Sequence, residues 1–181
     1  MVVYGLRRYL HLALAGNPTI LLPLFVPAEH TYFCDEHGRA LRDAASWIVS
    51  RRAGRRFRGY LNAQRRGMLG QRAGAGGAGR REIVTRYGFD TKYAMHMVRL
   101  GVQGVELMET GRITLPIPEP HLSWLRELRQ GHRTKEEALD AAADLEARLD
   151  VLETSSPLPP EPDRVRADAW LVEQYLSRWT A

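Results

Sequence analysis

One cysteine, two lysines and no long apolar run set the first limits on this chain of 181 residues. A lone thiol, Cys34, excludes an internal disulfide framework and fits a reducing compartment, so a cytoplasmic protein is expected. The longest apolar stretch, Ile20 to Pro27, is broken by Pro23 and falls short of the ~18 residues that span a bilayer, so no membrane partner is expected. The opening Met-Val-Val-Tyr-Gly-Leu-Arg-Arg lacks the charged start and apolar segment of a signal peptide. Absent too are G-K-[ST] and G-x-S-x-G, which removes a P-loop and a hydrolase elbow. Gly74, Gly76 and Gly79 spell G-x-G-x-x-G, but no strand precedes them and Arg80-Arg81 follow, so no dinucleotide site is expected. His30, Cys34 and His37 have metal-like spacing, yet structural zinc needs four ligands and Asp35 is an atypical fourth. They read as loop residues, and no metal site is expected.

What is present is arginine, and it is clustered. From Arg51 to Arg81 there are ten arginines and no acidic residue, while the whole chain carries a formal charge of only +5. The remainder is therefore net negative by about five. Lysine is confined to Lys92 and Lys135, so the arginine total partly reflects coding bias, and only its clustering argues for nucleic acid. Arg51, Arg52, Arg55, Arg56, Arg58, Arg65 and Arg66, with Phe57 and Tyr60 between them, could follow a phosphate backbone of RNA, tRNA included. They could equally face the acidic C-terminal helix of the same molecule.

Periodicity predicts an all-α helical array with at most one strand, at Met1 to Val3. Helices are expected over Tyr4 to Ala15, after the Asn17 cap, over Arg39 to Val49, and over Arg51 to Leu69. Val26 to Gly38 reads as turns, and Gly70 to Gly79 as a flexible loop. A central helix starts near Asp90, followed by an extended Gly111 to Pro120 and a short helix from His121 to Gln130. Thr134 with Glu137 forms a capping box for a long acidic helix to about Glu153, and Asp163 caps a last helix ending near Trp179. The division is residues 1–69, a Gly/Arg loop 70–81, and residues 82–181, together one compact domain.

On the central helix Lys92, His96, Arg99, Gln103 and Glu106 are spaced by four, three, four and three residues. At about 100° per residue they share a strip roughly 80° wide. Ala94, Met95, Met97, Val98, Val102, Val105 and Met108 form the core-facing side. The strip is either a solvated face or the lining of a cleft. Gly101 and Gly104, which weaken a helix unless a neighbour packs closely, and the mixture of cations, imidazole and amide point toward a cleft.

The string from Tyr87 to Leu100 resembles the signature of the predicted nucleotidyltransferases of the DNA polymerase beta superfamily, including RNA-ligase-associated polymerase-beta-like proteins of bacteria and phages. The similarity continues through Gln103 to Leu107, Thr110 to Pro116, Tyr4 to Leu10, Leu14 to Thr19, Gly59-Tyr60 with Gln64, and Ser156 to Asp163. The resemblance implies transfer of a nucleoside monophosphate from an NTP to RNA or a small acceptor, with Mg²⁺ held by carboxylates of a preceding core. That core's Gly-Ser and Asp-x-Asp motifs do not occur in these 181 residues. The chain thus resembles the helical part of such an enzyme, which is not expected to catalyse the reaction without a separate core chain. In this family likeness Lys92 and Arg99 neutralise the triphosphate, His96 contacts phosphate or acceptor, and Asp90 caps and orients the helix. Asn17, Gln64 and Arg112 are further nucleotide-binding candidates. Two other classes stay open: a non-catalytic nucleic-acid-binding or assembly module built on Arg51 to Arg81, and an inhibitory partner that docks on a full-length relative.

Overall fold

A computed structural model describes residues 2–71 and 78–179. The described residues form α-helices with short 3₁₀ turns and no strand; Val2 and Val3 are unpaired backbone, and Met1 lies outside the described residues. The helices are α1 (Leu6–Leu14), α2 (Pro18–Leu21), α3 (Glu36–Asp43), α4 (Ala45–Ile48), α5 (Arg51–Met68), α6 (Ala78–Tyr87), α7 (Thr91–Thr110), α8 (His121–Gln130), α9 (Lys135–Ser155) and α10 (Arg164–Trp179). None is long and apolar enough to cross a membrane.

Local chemistry sets most of these boundaries. Asn17 Oδ1 accepts from the amides of Thr19 and Ile20 ahead of Pro18, and Asp90 Oδ1 accepts from Lys92 and Tyr93 at 3.0 Å each. Thr134 and Glu137 exchange both bonds of the capping box. α7 ends at Gly111 in the left-handed region, φ 74°.

Three expectations are corrected. The span Arg39 to Val49 is not one helix but α3 and α4, divided at Ala44 and beginning at Glu36, because Asp35 Oδ1 accepts from the Gly38 amide. The first helix is shorter than Tyr4 to Ala15 and starts after Gly5. The loop of 70–81 gives way to helix at Ala78, so Gly79 of the G-x-G-x-x-G run falls within α6, while Arg72, Gly74 and Gly76 lie outside the described residues.

The core is a close pair, α5 and α7, with α9 laid across both and α8 beside α7. Gly54 meets Met108 while Gly67 meets Tyr93, so the pair is antiparallel. From the other helix, Gly104 admits Phe57 and Leu149, and Gly101 admits Leu61 and Leu145. Close neighbours thus account for both α7 glycines, which cease to be an argument for a cleft. Phe57, Leu61, Met97, Leu107 and Met108 are fully buried between these helices, and at roughly 2 kcal/mol per large apolar side chain they anchor the fold.

Candidate functional site

The first half of α7 carries the site. Lys92 is exposed, His96 and Arg99 are half-buried, and Gln103 is buried at 3 % exposure. The strip therefore runs from solvent into the protein rather than along one surface. Glu106 leaves it altogether: both carboxylate oxygens accept from the Thr114 amide at 3.0 Å and one from its hydroxyl, fastening the extended segment after α7.

Positive charge gathers here, with Asp90 as its weak counterweight. Burial lowers the Arg99 guanidinium from its usual range, and its Nε is buried with no hydrogen-bond partner. Burial also lowers the His96 imidazole, helped by the charges of Arg99, Lys92 and Arg129, while Asp90 pulls weakly the other way. Among the described residues none of Lys92, Arg99 and Arg129 has a carboxylate at ion-pair distance. Arg129 was not singled out in the sequence. It comes from α8, where its Nη1 donates to Thr91 Oγ1 at 3.2 Å and its carbonyl accepts from the same hydroxyl at 3.1 Å. The only hint was its place in the last turn of a helix following a short extended segment.

Asp90 is buried and held twice, by the α7 amides and by Arg80 at 4.0 Å, with the Arg80 guanidinium 4.2 Å over the Tyr93 ring. Asp90 itself lines a cavity of about 720 Å³, with Met68, Arg80, Phe89, Tyr93 and Lys135 among the other walls. Lys92, His96 and Arg99 do not line it.

The other candidates are scattered. Asn17 serves as a cap and its Nδ2 donates to the Tyr60 hydroxyl at 3.3 Å, one turn before Gln64 on α5. Arg112 lies beyond the other end of α7, about 30 Å along the axis from Lys92. It borders a separate hollow with Arg42 and Asp43.

The α5 arginines are mostly engaged inside the molecule. Arg52 and Arg55 reach Glu161 at 3.2 and 2.8 Å, Arg58 holds Asp150 and Glu153, and Arg65 holds Glu146 at 2.8 Å. Arg51 donates to the carbonyls of Leu158 and Thr154. Of the seven, only Arg56 and Arg66 project without such a contact among the described residues. Of the metal-spaced residues, His37 Nδ1 lies 2.8 Å from Gln174 Oε1, Cys34 is half-buried and His30 is exposed.

The family model described as the RNA repair pathway DNA polymerase beta family matches residues 1–173. No curated protein and no solved structure matches the chain.

Proposed function

Because the chain belongs to the RNA repair pathway DNA polymerase beta family, we propose that the α7 cluster receives the phosphates of an NTP, as the helical wall of a nucleotidyltransferase. The observation that carries this is the set of Lys92, Arg99 and Arg129 around His96: the charge of each reaches the imidazole, and none has a carboxylate at ion-pair distance among the described residues. A partly desolvated cation such as Arg99, left without an ion-paired carboxylate, costs stability, and an anion restores the balance. Arg99 would offer a planar fork to two phosphate oxygens and Lys92 a mobile point charge. His96, whose imidazole is held below its ordinary range by burial and then by the cations around it, would gain its proton when phosphate arrives. Asp90 would fix the start of the helix that carries all three.

Mg²⁺ is expected for a complete family member. The residues of this chain do not fit it: Gly-Ser and Asp-x-Asp are absent from the sequence, and no group of three His, Cys, Asp or Glu among the described residues could hold a metal. The contribution proposed for these residues is binding and orientation of the triphosphate.

Calorimetric titration with ATP, GTP and inorganic tripolyphosphate tests the reading, with adenosine as the uncharged control. Lys92→Ala and Arg99→Ala should each weaken triphosphate binding about tenfold or more. Unchanged affinity in both variants refutes it. The alternative, nucleic-acid binding or assembly through Arg51 to Arg81, would instead give RNA affinity that falls steeply with salt and ignores nucleotides. The ion pairs along α5 count against it.

A further inference from the structure

Among the described residues, the last helix buries one side against the rest of the protein. Ala167 is buried, Trp170 meets Trp47 edge-on with ring centroids 5.9 Å apart, and Gln174 meets His37. The opposite side carries Val165, Ala169, Val172, Leu176 and Trp179, spaced by four, three, four and three residues. Val165, Val172, Leu176 and Trp179 are 83, 56, 52 and 80 % exposed. Apolar residues alternating at three and four form the narrow seam through which two helices pair, not the wider face that sinks into a core.

The flanks of this seam select the partner. Arg166 and Glu173 lie along one edge, Asp168 and Tyr175 along the other. Two copies placed antiparallel, with Ala169 opposite the partner's Val172, bring Arg166 against the partner's Glu173, and Glu173 against the partner's Arg166. The other edge offers the Tyr175 hydroxyl to the partner's Asp168. A parallel pair would instead set Asp168 beside the partner's Glu173, two like charges. The edge charges are thus self-complementary in one orientation only. Arg166 has a loose stacking contact with Trp47, 5.6 Å from its ring, and Glu173 is exposed with no ion pair among the described residues.

We propose that α10 pairs with α10 of a second copy of this chain, antiparallel about a twofold axis. A helix of 16 residues is about 24 Å long. Its seam alone buries less than the ~800 Å² per partner of a standard interface, which places it among the small, reversible interfaces. Tyr32 and Phe33, 106 and 78 % exposed, add apolar surface beside the C-terminal half of α10, where Asp35 meets Arg178 at 4.0 Å.

Sedimentation equilibrium of the whole chain over roughly 5–500 µM tests this. The mass should rise from 20.5 kDa toward twice that value. Glu173→Arg, which sets like charges opposite each other, should raise the dissociation constant about tenfold. Adding Arg166→Glu should restore it, and Val172→Asp should abolish association, with the helical circular dichroism of every variant unchanged. A monomer throughout overturns the proposal. So does a dimer indifferent to Glu173→Arg and Val172→Asp, or one that the double reversal fails to rescue.

Discussion

Gly104→Ala tests whether glycine sets the distance between α5 and α7. A methyl group there would sit 2.8 Å from Phe57 Cβ, 3.1 Å from its Cγ and 3.3 Å from Leu149 Cδ2. Phe57 Cβ is fixed to its own helix, so it cannot swing aside, and α5 itself must retreat from α7. Two effects compete. Alanine in a helix interior is favoured over glycine by about 1 kcal/mol, while overpacking a tight core costs about 1–3 kcal/mol. Because the clash is with an atom next to the backbone on one side and a packed leucine on the other, overpacking wins, for a net loss of about 1 kcal/mol. That corresponds to a melting temperature lower by roughly 2–4 °C. Gly59 supplies the opposite control: it lies inside α5 with no atom within 4 Å of the added methyl, so Gly59→Ala should gain up to about 1 kcal/mol. Urea unfolding followed by circular dichroism reads both, with unchanged slopes confirming that only stability moved. A Gly104→Ala protein as stable as the wild type, or equal shifts in the two variants, would refute the close-packing account.

The α7 cluster yields two further expectations. Arg99→Met removes a half-buried guanidinium whose Nε has no partner, so it should stabilise the fold by about 1 kcal/mol in thermal unfolding while weakening triphosphate binding. A loss of stability would mean Arg99 is compensated within the fold. His96 titrates below its ordinary 6.5 in the folded state. The unfolded chain therefore takes up the proton first, and stability should fall as pH drops from about 6.5 toward the lower folded value. His96→Gln should flatten that part of the profile, measured as urea midpoints from pH 8 to 5. Binding of tripolyphosphate should be tighter at pH 6 than at pH 8, with proton uptake seen as a buffer-dependent heat. At the start of α9, Thr134→Ala should cost about 1 kcal/mol by opening the capping box.

The all-α fold and the family were legible because their signals are local. Asn17, Asp90 and Thr134 cap helices through bonds that span two or three residues, and such bonds are written in the sequence itself. The start of α6 was hidden by the glycines that precede it, and the break at Ala44 by residues that favour helix on both sides. At the site, spacing placed Lys92, His96 and Arg99 together but could not say that Gln103 and Arg99 sink into the protein. Depth depends on which helices lie over α7, and that is decided by Gly54, Gly67, Gly101 and Gly104 acting across long sequence distances. Arg129 was missed for the same reason: only the packing of α8 on α7 brings it to His96.

The ladder between α5 and the C-terminal part of the chain also has a consequence in time. Arg52, Arg55, Arg58 and Arg65 find their carboxylates 109, 106, 92 and 81 residues later, at Glu161, Glu161, Asp150 and Glu146. At a synthesis rate of about 5–20 residues per second, a nascent chain carries a bare polycation for roughly 4–20 s before its counter-charges emerge. During that window ribosomal RNA is the nearest polyanion. A chain stopped before Glu146 should copurify with more RNA than the 181-residue chain, in which Arg51, Arg52, Arg55, Arg58 and Arg65 are answered from within.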